Sequence, residues 1–211
     1  QEIFFYRFLI AYLGIWVISP KRLFTNNWQD ELWLVAGGIF GGSLYFFTEN
    51  TALGITQASN VSFIICTAPL LTTILSLLFY KSEKASKGLI YGSLLALMGV
   101  GLIVFNGSFV LKISPIGDLL TLLAALSWAF YSLIIKKMAG RYPTIFITRK
   151  IFFYGVLTIL PAFLLHPLQP DTAVLLQPAV LFNLLFLAVL ASLICYVLWN
   201  LVLKQLGTVR A

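Results

Sequence analysis

Residues 58–79 read ASNVSFIICTAPLLTTILSLLF, and this run contains no charged residue. A helix needs about 20 consecutive apolar residues to cross a bilayer, so the run is long enough to do so. The rest of the chain has the same character, because 60% of its 211 residues are hydrophobic and only 10% are charged. Soluble domains carry roughly 25% charged residues. The composition therefore predicts an all-α, polytopic membrane bundle, which we expect in the bacterial inner (plasma) membrane.

Further apolar runs of similar length lie on both sides of this one, and the polar gaps between them are too short to form a soluble domain. Proline or glycine marks several of their ends, as at Pro20, Gly54, Pro115 and Pro143. The pattern predicts seven transmembrane helices in all. They are Ile3–Ser19, Leu32–Leu53, Ala58–Phe79, Lys87–Phe105, Gly117–Met138, Phe146–Leu165 and Phe182–Leu203.

Gaps rich in lysine and arginine alternate along the chain with gaps that have few or none. The second and sixth gaps have none and the fourth has only Lys112, whereas the odd gaps and the end of the chain are rich in them. Positive residues favour cytoplasmic loops, so we expect the odd gaps to be cytoplasmic. The net charge of +7 therefore reports topology, and we expect no nucleic-acid partner. The residues concerned are Lys21, Arg22, Lys81, Lys84, Lys136, Lys137, Arg141, Lys204 and Arg210.

The chain also contains a weak internal repeat. Helices one and two match helices six and seven in order, so the repeat step is five helices. Because five is odd, the two copies point in opposite directions across the bilayer, as in many secondary transporters. The aligned pairs are Gly41–Ala191, Gly42–Ser192, Asn50–Asn200, Leu53–Leu203 and, with a slightly shorter offset, Arg7–Arg149.

Three diffuse signatures carry a family resemblance: TALGITQASNVSFIICTAPLLTTILS (51–76), GDLLTLLAALSWAFYSLIIKK (117–137) and YVLWNLVLKQLGTVRA (196–211). In these segments the chain resembles the drug/metabolite transporter superfamily, of the EamA-like type. The resemblance implies ten helices in two inverted five-helix repeats around a central cavity. Residues 1–105 would hold helices two to five of the first repeat, without its first helix. Residues 106–211 would hold helices six to eight, without the last two.

A resemblance of this kind implies a secondary-active transporter that moves a small organic metabolite by alternating access. We expect an amino acid or similar solute, moved by efflux. The expected partners are this substrate and the lipid bilayer, with proton coupling and a homodimer left open. The alternative is a seven-helix receptor-like or structural membrane protein without transport activity. We expect no enzymatic activity, cofactor or metal, because the chain shows no Ser–His pair, aspartate pair or metal cluster at membrane depth.

Glu49 is the most distinctive candidate for the substrate site, because a charge inside the membrane is costly and is usually functional. Three interpretations stay open. Glu49 reaches the outer interface, or it forms an ion pair with Arg7, or it faces the cavity and binds a substrate amine or a proton. Its counterpart in the repeat is Trp199, so the carboxylate is not part of a symmetric scaffold.

Other candidate residues for substrate binding or coupling are polar or aromatic and lie within predicted spans. For most of them helix packing is a competing interpretation: Asn50 and Asn200 could be structural amides, and Trp128 and Tyr131 could be packing aromatics. Arg149 and Lys150 lie near the cytoplasmic start of their helix, where positive-inside anchors or snorkelling residues are the favoured interpretation and anion ligands the alternative. The full candidate set is Glu49, Asn50, Tyr45, Ser62, Cys66, Trp128, Tyr131, Trp199 and Asn200.

Small residues predict where helices pack, because lipid-embedded helices associate through close contact. One predicted face contains Gly38, Gly42, Tyr45 and Glu49. Pro69 is predicted to bend the third helix, since proline cannot donate a backbone hydrogen bond. A third pattern predicts a packing seam on the fourth helix, formed by Gly88, Gly92 and Gly99.

Overall fold

A computed structural model describes residues 2–20, 24–25, 27–80, 87–105, 114–165, 168 and 172–208. All regular secondary structure in these residues is helical. Lys21, Arg22, Lys81, Lys84, Lys112 and Arg210, which contribute to the predicted charge alternation, lie outside them.

Each predicted span coincides with a helix. The long helices are α1 (Glu2–Ile18), α2 (Trp28–Gly38, Ile39–Ser43 and Leu44–Ile55 in succession), α3 (Ala58–Phe79), α4 (Lys87–Phe105), α5 (Pro115–Ala139), α6 (Thr144–Leu164) and α7 (Pro178–Leu206). A short helix, Thr172–Leu175, precedes α7. Among the described residues, α3, α5, α6 and α7 are long and apolar enough to cross a membrane. The protein is thus an all-α, multi-pass membrane bundle.

Local sequence explains where several helices begin and end. The Asn27 side chain caps α2 by accepting a hydrogen bond of 3.0 Å from the backbone N–H of Gln29. Pro115 and Pro178 stand at the first positions of α5 and α7, where a missing backbone N–H is harmless. Gly207 ends α7 with φ of 77°, a conformation that favours glycine.

Helix α3 is interrupted near its middle, as the sequence predicts. Its two halves, Ala58–Ile65 and Ala68–Phe79, are separated by a turn at Cys66 and Thr67. Pro69 follows this turn and has no N–H to donate to the carbonyl of Ile65. The Thr67 hydroxyl and the Thr67 N–H both donate to the carbonyl of Ile64, over 2.6 Å and 2.9 Å, and so hold the turn in a tight conformation.

Helices α2 and α7 each contain a π-helical segment, at Ile39–Ser43 and Phe186–Ile194. The 150-residue offset of the internal repeat places the first segment on residues 189–193, inside the second. The π segment in α2 frees backbone carbonyls for side chains of other helices. Ser127 of α5 donates to the carbonyl of Phe40 over 2.8 Å, and Tyr196 of α7 donates to that of Gly41 over 2.5 Å.

The same π segment divides the predicted small-residue face of α2. Before it, Gly38 packs against Tyr154 and Gly155 of α6, and within it Gly42 lies against Gly155. After it, α2 packs mainly on α5, where the Tyr45 ring lies 5.3 Å from that of Trp128. The single continuous face predicted from the sequence is therefore wrong, because the extra residue of a π turn rotates the outer half of the helix relative to the inner half.

The hydrophobic core lies where α1, α2, α5, α6 and α7 meet, and aromatic rings dominate it. Phe8 of α1 packs against Phe152 of α6 at 4.8 Å and against Tyr196 of α7 at 5.6 Å. Helix α4 lies outside this core and contacts mainly the first half of α3. Gly92 and Gly99 have no described neighbour where a Cβ would stand, and Gly88 is exposed, so the packing seam on α4 stays a prediction.

Candidate functional site

The structure brings four of the predicted site residues together with Arg7 in what we call the central cluster: Arg7, Tyr45, Glu49, Trp128 and Trp199. They come from helices α1, α2, α5 and α7, and all five are half-buried. The Trp128 ring joins the group, since it lies 5.3 Å from Tyr45 and 5.9 Å from Trp199. Helices from both predicted repeats therefore contribute to one cluster.

The two charges of the central cluster have neutral direct partners. The Tyr45 hydroxyl donates to Glu49 Oε1 over 3.1 Å. Arg7 Nε donates to the Ser192 hydroxyl over 2.8 Å, and the guanidinium lies 4.5 Å above the Phe46 ring. Arg7 and Glu49 attract each other electrostatically, but no salt bridge joins them in the described structure. The direct Arg7–Glu49 ion pair thus stays a prediction.

Much of the hydrogen-bonding capacity in this cluster is unused by the described residues. A carboxylate has about four lone-pair sites and a guanidinium has five N–H donors, so one hydrogen bond leaves each largely unused. The indole Nε1 of Trp199 is also buried without a hydrogen-bond acceptor among the described residues. The cluster therefore offers a carboxylate, a guanidinium and an indole N–H beside aromatic rings.

Tyr131 and Asn200 lie behind the central cluster as fully buried structural residues. The Tyr131 hydroxyl donates to Asn200 Oδ1 over 2.8 Å, and Asn200 Nδ2 donates to the Thr148 hydroxyl over 2.9 Å. These bonds tie together α5, α7 and α6. Asn50, the repeat partner of Asn200, is half-buried and makes no comparable interhelical bond in the described structure.

Ser62 lies on the first half of α3, and Cys66 lies in the turn that follows it. Ser62 is exposed and Cys66 is a half-buried free thiol. Within the described residues, no hydrogen bond or ring contact joins either side chain to the central cluster. Their role in binding stays a prediction.

A second group of charges, the inner cluster, was not predicted: Asp30, Glu31, Arg141, Tyr142, Lys150 and Tyr154. It lies at the end of the bundle that the charge pattern predicts to be cytoplasmic. Glu31 accepts hydrogen bonds from Lys150 and Tyr154, and its Oε2 also accepts from the Thr25 hydroxyl over 2.6 Å. Lys150 has an exposed fraction of 0% and Glu31 of 7%.

Asp30 forms the second ion pair of the inner cluster. Its Oδ1 lies 2.5 Å from Arg141 Nη1, and its Oδ2 accepts from the Tyr142 hydroxyl over 2.9 Å. Partial burial, followed by this hydrogen bond, raises the pKa of Tyr142 above its ordinary value. The two ion pairs join the start of α2 to α6 and to the turn between α5 and α6.

The sequence favours membrane-surface anchors for Arg149 and Lys150, but both side chains are buried in the structure. Arg149 has an exposed fraction of 2%, and its Nη1 donates to the Ser19 carbonyl at the end of α1 over 2.6 Å. The signal that could have revealed the inner cluster is the acidic pair Asp30–Glu31 at the head of a predicted span. Two acids there need either water or a cationic partner.

Comparison with known proteins supplies the family. A model of the EamA-like transporter family matches residues 1–105 and 115–211. The chain belongs to the EamA-like transporter family. The two matched ranges cover nearly the whole chain, so membership rests on both halves of the molecule.

Relatives of this family member are described as transporters in archaea and bacteria. An "Uncharacterized transporter" of Archaeoglobus fulgidus is 30% identical over 199 residues, covering 92% of this chain and 67% of the relative. A second protein of that organism with the same description is 25% identical and covers 97% and 71%. The "Uncharacterized transporter YyaM" of Bacillus subtilis is 27% identical and covers 81% and 55%.

A solved crystal structure shares the fold of this EamA-like chain. Its TM-score is 0.76 with 18% sequence identity, and the match covers 98% of this chain and 72% of the other. At that identity the likeness concerns the fold alone. Family and relatives together identify a multi-pass integral membrane transporter.

Proposed function

We propose that this protein is a secondary-active carrier for an amino acid or a similar small zwitterion, exported by alternating access. The observation that supports this most is the central cluster. It presents one carboxylate and one guanidinium on different helices, neither of them held by an opposite charge. A zwitterion carries the two complementary groups.

In this proposal Glu49 binds the substrate ammonium and Arg7 binds the substrate carboxylate. Arginine suits that task because its planar N–H groups match the two carboxylate oxygens. Trp128 and Trp199 contact the substrate's apolar part, and the Trp199 N–H donates to the substrate carboxylate. Tyr45 holds the Glu49 carboxylate in position through its hydroxyl.

The inner cluster supports the alternating-access part of the proposal. Its ion pairs link α2, from the first predicted repeat, to α6 and the α5–α6 turn of the second. With Glu31 and Lys150 buried between them, the predicted cytoplasmic ends of α2 and α6 are held together. Opening that end requires the start of α2 to separate from α6, so the pairs would break and reform in each transport cycle.

Transport in reconstituted vesicles tests the substrate site. We expect Glu49→Gln to lower amino-acid transport about 30-fold or more, because truncating one member of a buried charge pair typically costs about 2 kcal/mol or more. Glu2→Gln, which removes a carboxylate at the start of α1, is the matched control and should transport normally. Arg7→Lys should also transport poorly, since lysine keeps the charge but loses the planar donors.

Unchanged transport by Glu49→Gln under an imposed gradient would show that the Glu49 carboxylate does not bind the substrate. If the unsubstituted protein moves organic cations but no amino acid, the proposal of a zwitterionic substrate is wrong, while the proposal of a carrier is supported. Transport of neither class, in vesicles that hold correctly folded protein, would favour the structural alternative.

A further inference from the structure

A groove with a volume of about 590 Å³ opens where α2, the end of α3 and α5 meet. This size lies within the range of about 300–1,000 Å³ that small-molecule sites occupy. Its walls are aromatic and aliphatic, and its single charged lining residue among those described is Lys137. The residues that matter below are Trp33, Ala36, Phe79, Tyr80, Phe130 and Lys137.

The groove is separate from the central cluster. Its α5 wall is formed by Phe130, Leu133, Ile134 and Lys137, which recur at helical spacing on one side of that helix. Trp128 packs on Tyr45 from a different position around α5. The groove therefore opens on the outside of the bundle, where Trp33 is 40% exposed and Phe79 is 64% exposed.

Two lysines stand at the rim of the groove above aromatic rings. Lys137 Nζ lies 3.7 Å from the centroid of the Trp33 ring, and Lys136 Nζ lies 4.1 Å from that of Tyr80. Both lysines belong to the last turn of α5, at the end predicted to be cytoplasmic. Tryptophan and tyrosine favour the level of lipid headgroups, which places this rim at the membrane interface.

We propose that this groove binds one anionic phospholipid. Its headgroup phosphate lies between Lys136 and Lys137, and one acyl chain lies along the aromatic wall towards Phe130. Charge complementarity selects this occupant, because basic pockets between transmembrane helices on the cytoplasmic side bind anionic headgroups. An apolar slot below two cations fits a lipid better than it fits a soluble anion, which would leave the slot empty.

Native mass spectrometry of the delipidated protein in detergent tests the site. The probes are phosphatidylglycerol, phosphatidylcholine of the same acyl chains, and inorganic phosphate. We expect phosphatidylglycerol to be retained in preference to phosphatidylcholine. The double variant Lys136→Gln/Lys137→Gln should weaken its binding about 30-fold, since each lysine near the surface contributes a factor of about five.

Two further variants make the test specific. Lys204→Gln removes an exposed lysine at the same end of the bundle but outside the groove, and it should leave lipid binding unchanged. Ala36→Phe keeps both lysines and fills the apolar wall, and it should also weaken phosphatidylglycerol binding. If the double variant does not fold, Lys137→Gln and Ala36→Phe carry the test.

Equal retention of the two lipids would overturn the proposal, as would Lys204→Gln weakening binding as much as the double variant. Competition by inorganic phosphate, with Ala36→Phe silent, would show a phosphate site without a lipid slot and would also overturn it. Because the readout is lipid retention, the outcome does not depend on whether the protein carries amino acids.

Discussion

Glu31 and Glu49 lie on the same helix, α2, yet their carboxylates have opposite surroundings. Glu31 is buried and is held by a buried lysine, a tyrosine and Thr25. Glu49 is half-buried, and its hydrogen-bond partner is the neutral hydroxyl of Tyr45. One acid is fully engaged by the protein, whereas the other keeps most of its hydrogen-bonding capacity.

The difference separates a structural charge from a charge that can bind. A buried ion pair is strongly destabilised when one partner is removed, because the remaining charge is left in an apolar environment. A carboxylate with a neutral partner leaves no such charge behind. The inner cluster should therefore govern stability and the closed end of the bundle, while the central cluster should govern transport.

The largest expected effect comes from making the same acid-to-amide change at the two positions. Glu31→Gln should lower the free energy of unfolding by about 3–5 kcal/mol, because it leaves Lys150 buried without a counterion. Glu49→Gln should cost less than about 1 kcal/mol, since the amide oxygen still accepts from Tyr45. Denaturant or thermal unfolding of the purified protein in detergent measures both.

The double variant Glu31→Gln/Lys150→Met is the control for this comparison. Removing both charges should recover most of the stability lost in Glu31→Gln, because no ion is then left unpaired. Equal losses for Glu31→Gln and Glu49→Gln would contradict the distinction between the two clusters.

A smaller effect should distinguish the two asparagines that the repeat aligns. Asn200→Ala removes the amide that joins Tyr131 to Thr148, and it should cost about 1–3 kcal/mol. Asn50→Ala should change stability by less than about 0.5 kcal/mol but should reduce transport if Asn50 contacts the substrate. The same unfolding and vesicle assays apply. A stability loss for Asn50→Ala as large as that for Asn200→Ala would refute the distinction between a structural Asn200 and a non-structural Asn50.

An effect of at most similar size concerns two glycines of α2, one closely packed and one in open space. A Cβ at Gly41 would overlap the Tyr131 ring, which its hydrogen bond to Asn200 holds in place. We expect Gly41→Ala to cost about 1–3 kcal/mol through overpacking. Gly54→Ala, in open space near the end of α2, should be neutral or slightly stabilising. A Gly41→Ala protein that unfolds like Gly54→Ala would show that the Tyr131 ring is free to move.

The helices could be predicted because a membrane span depends on length and apolar content, which the sequence displays directly. The break in α3 could also be predicted, since Pro69 removes a specific N–H. Polar and aromatic groups are easily recognised within apolar runs, and the sequence therefore indicates four members of the central cluster as candidates: Tyr45, Glu49, Trp128 and Trp199. Their assembly into one cluster needed the packing of four helices.

The inner cluster escaped prediction for a physical reason. Glu31 and Lys150 are 119 positions apart, and each lies at the edge of an apolar run, where a solvated anchor is the simpler interpretation. The π segment of α2 also has no clear signature beyond its glycines. Its carbonyls accept hydrogen bonds from Ser127 and Tyr196, and these side chains come from distant parts of the chain.

The π segment also affects where the gene can lose a codon. A π turn holds one residue more than an α turn, so a deletion between Ile39 and Ser43 would restore an ordinary helix and leave the outer half of α2 facing nearly as before. An α-helix turns about 100° for each residue, so the same deletion within Trp28–Gly38 would swing Tyr45 and Glu49 by that angle relative to the start of the helix. A one-codon loss should therefore disturb the central cluster less inside the π segment than just before it.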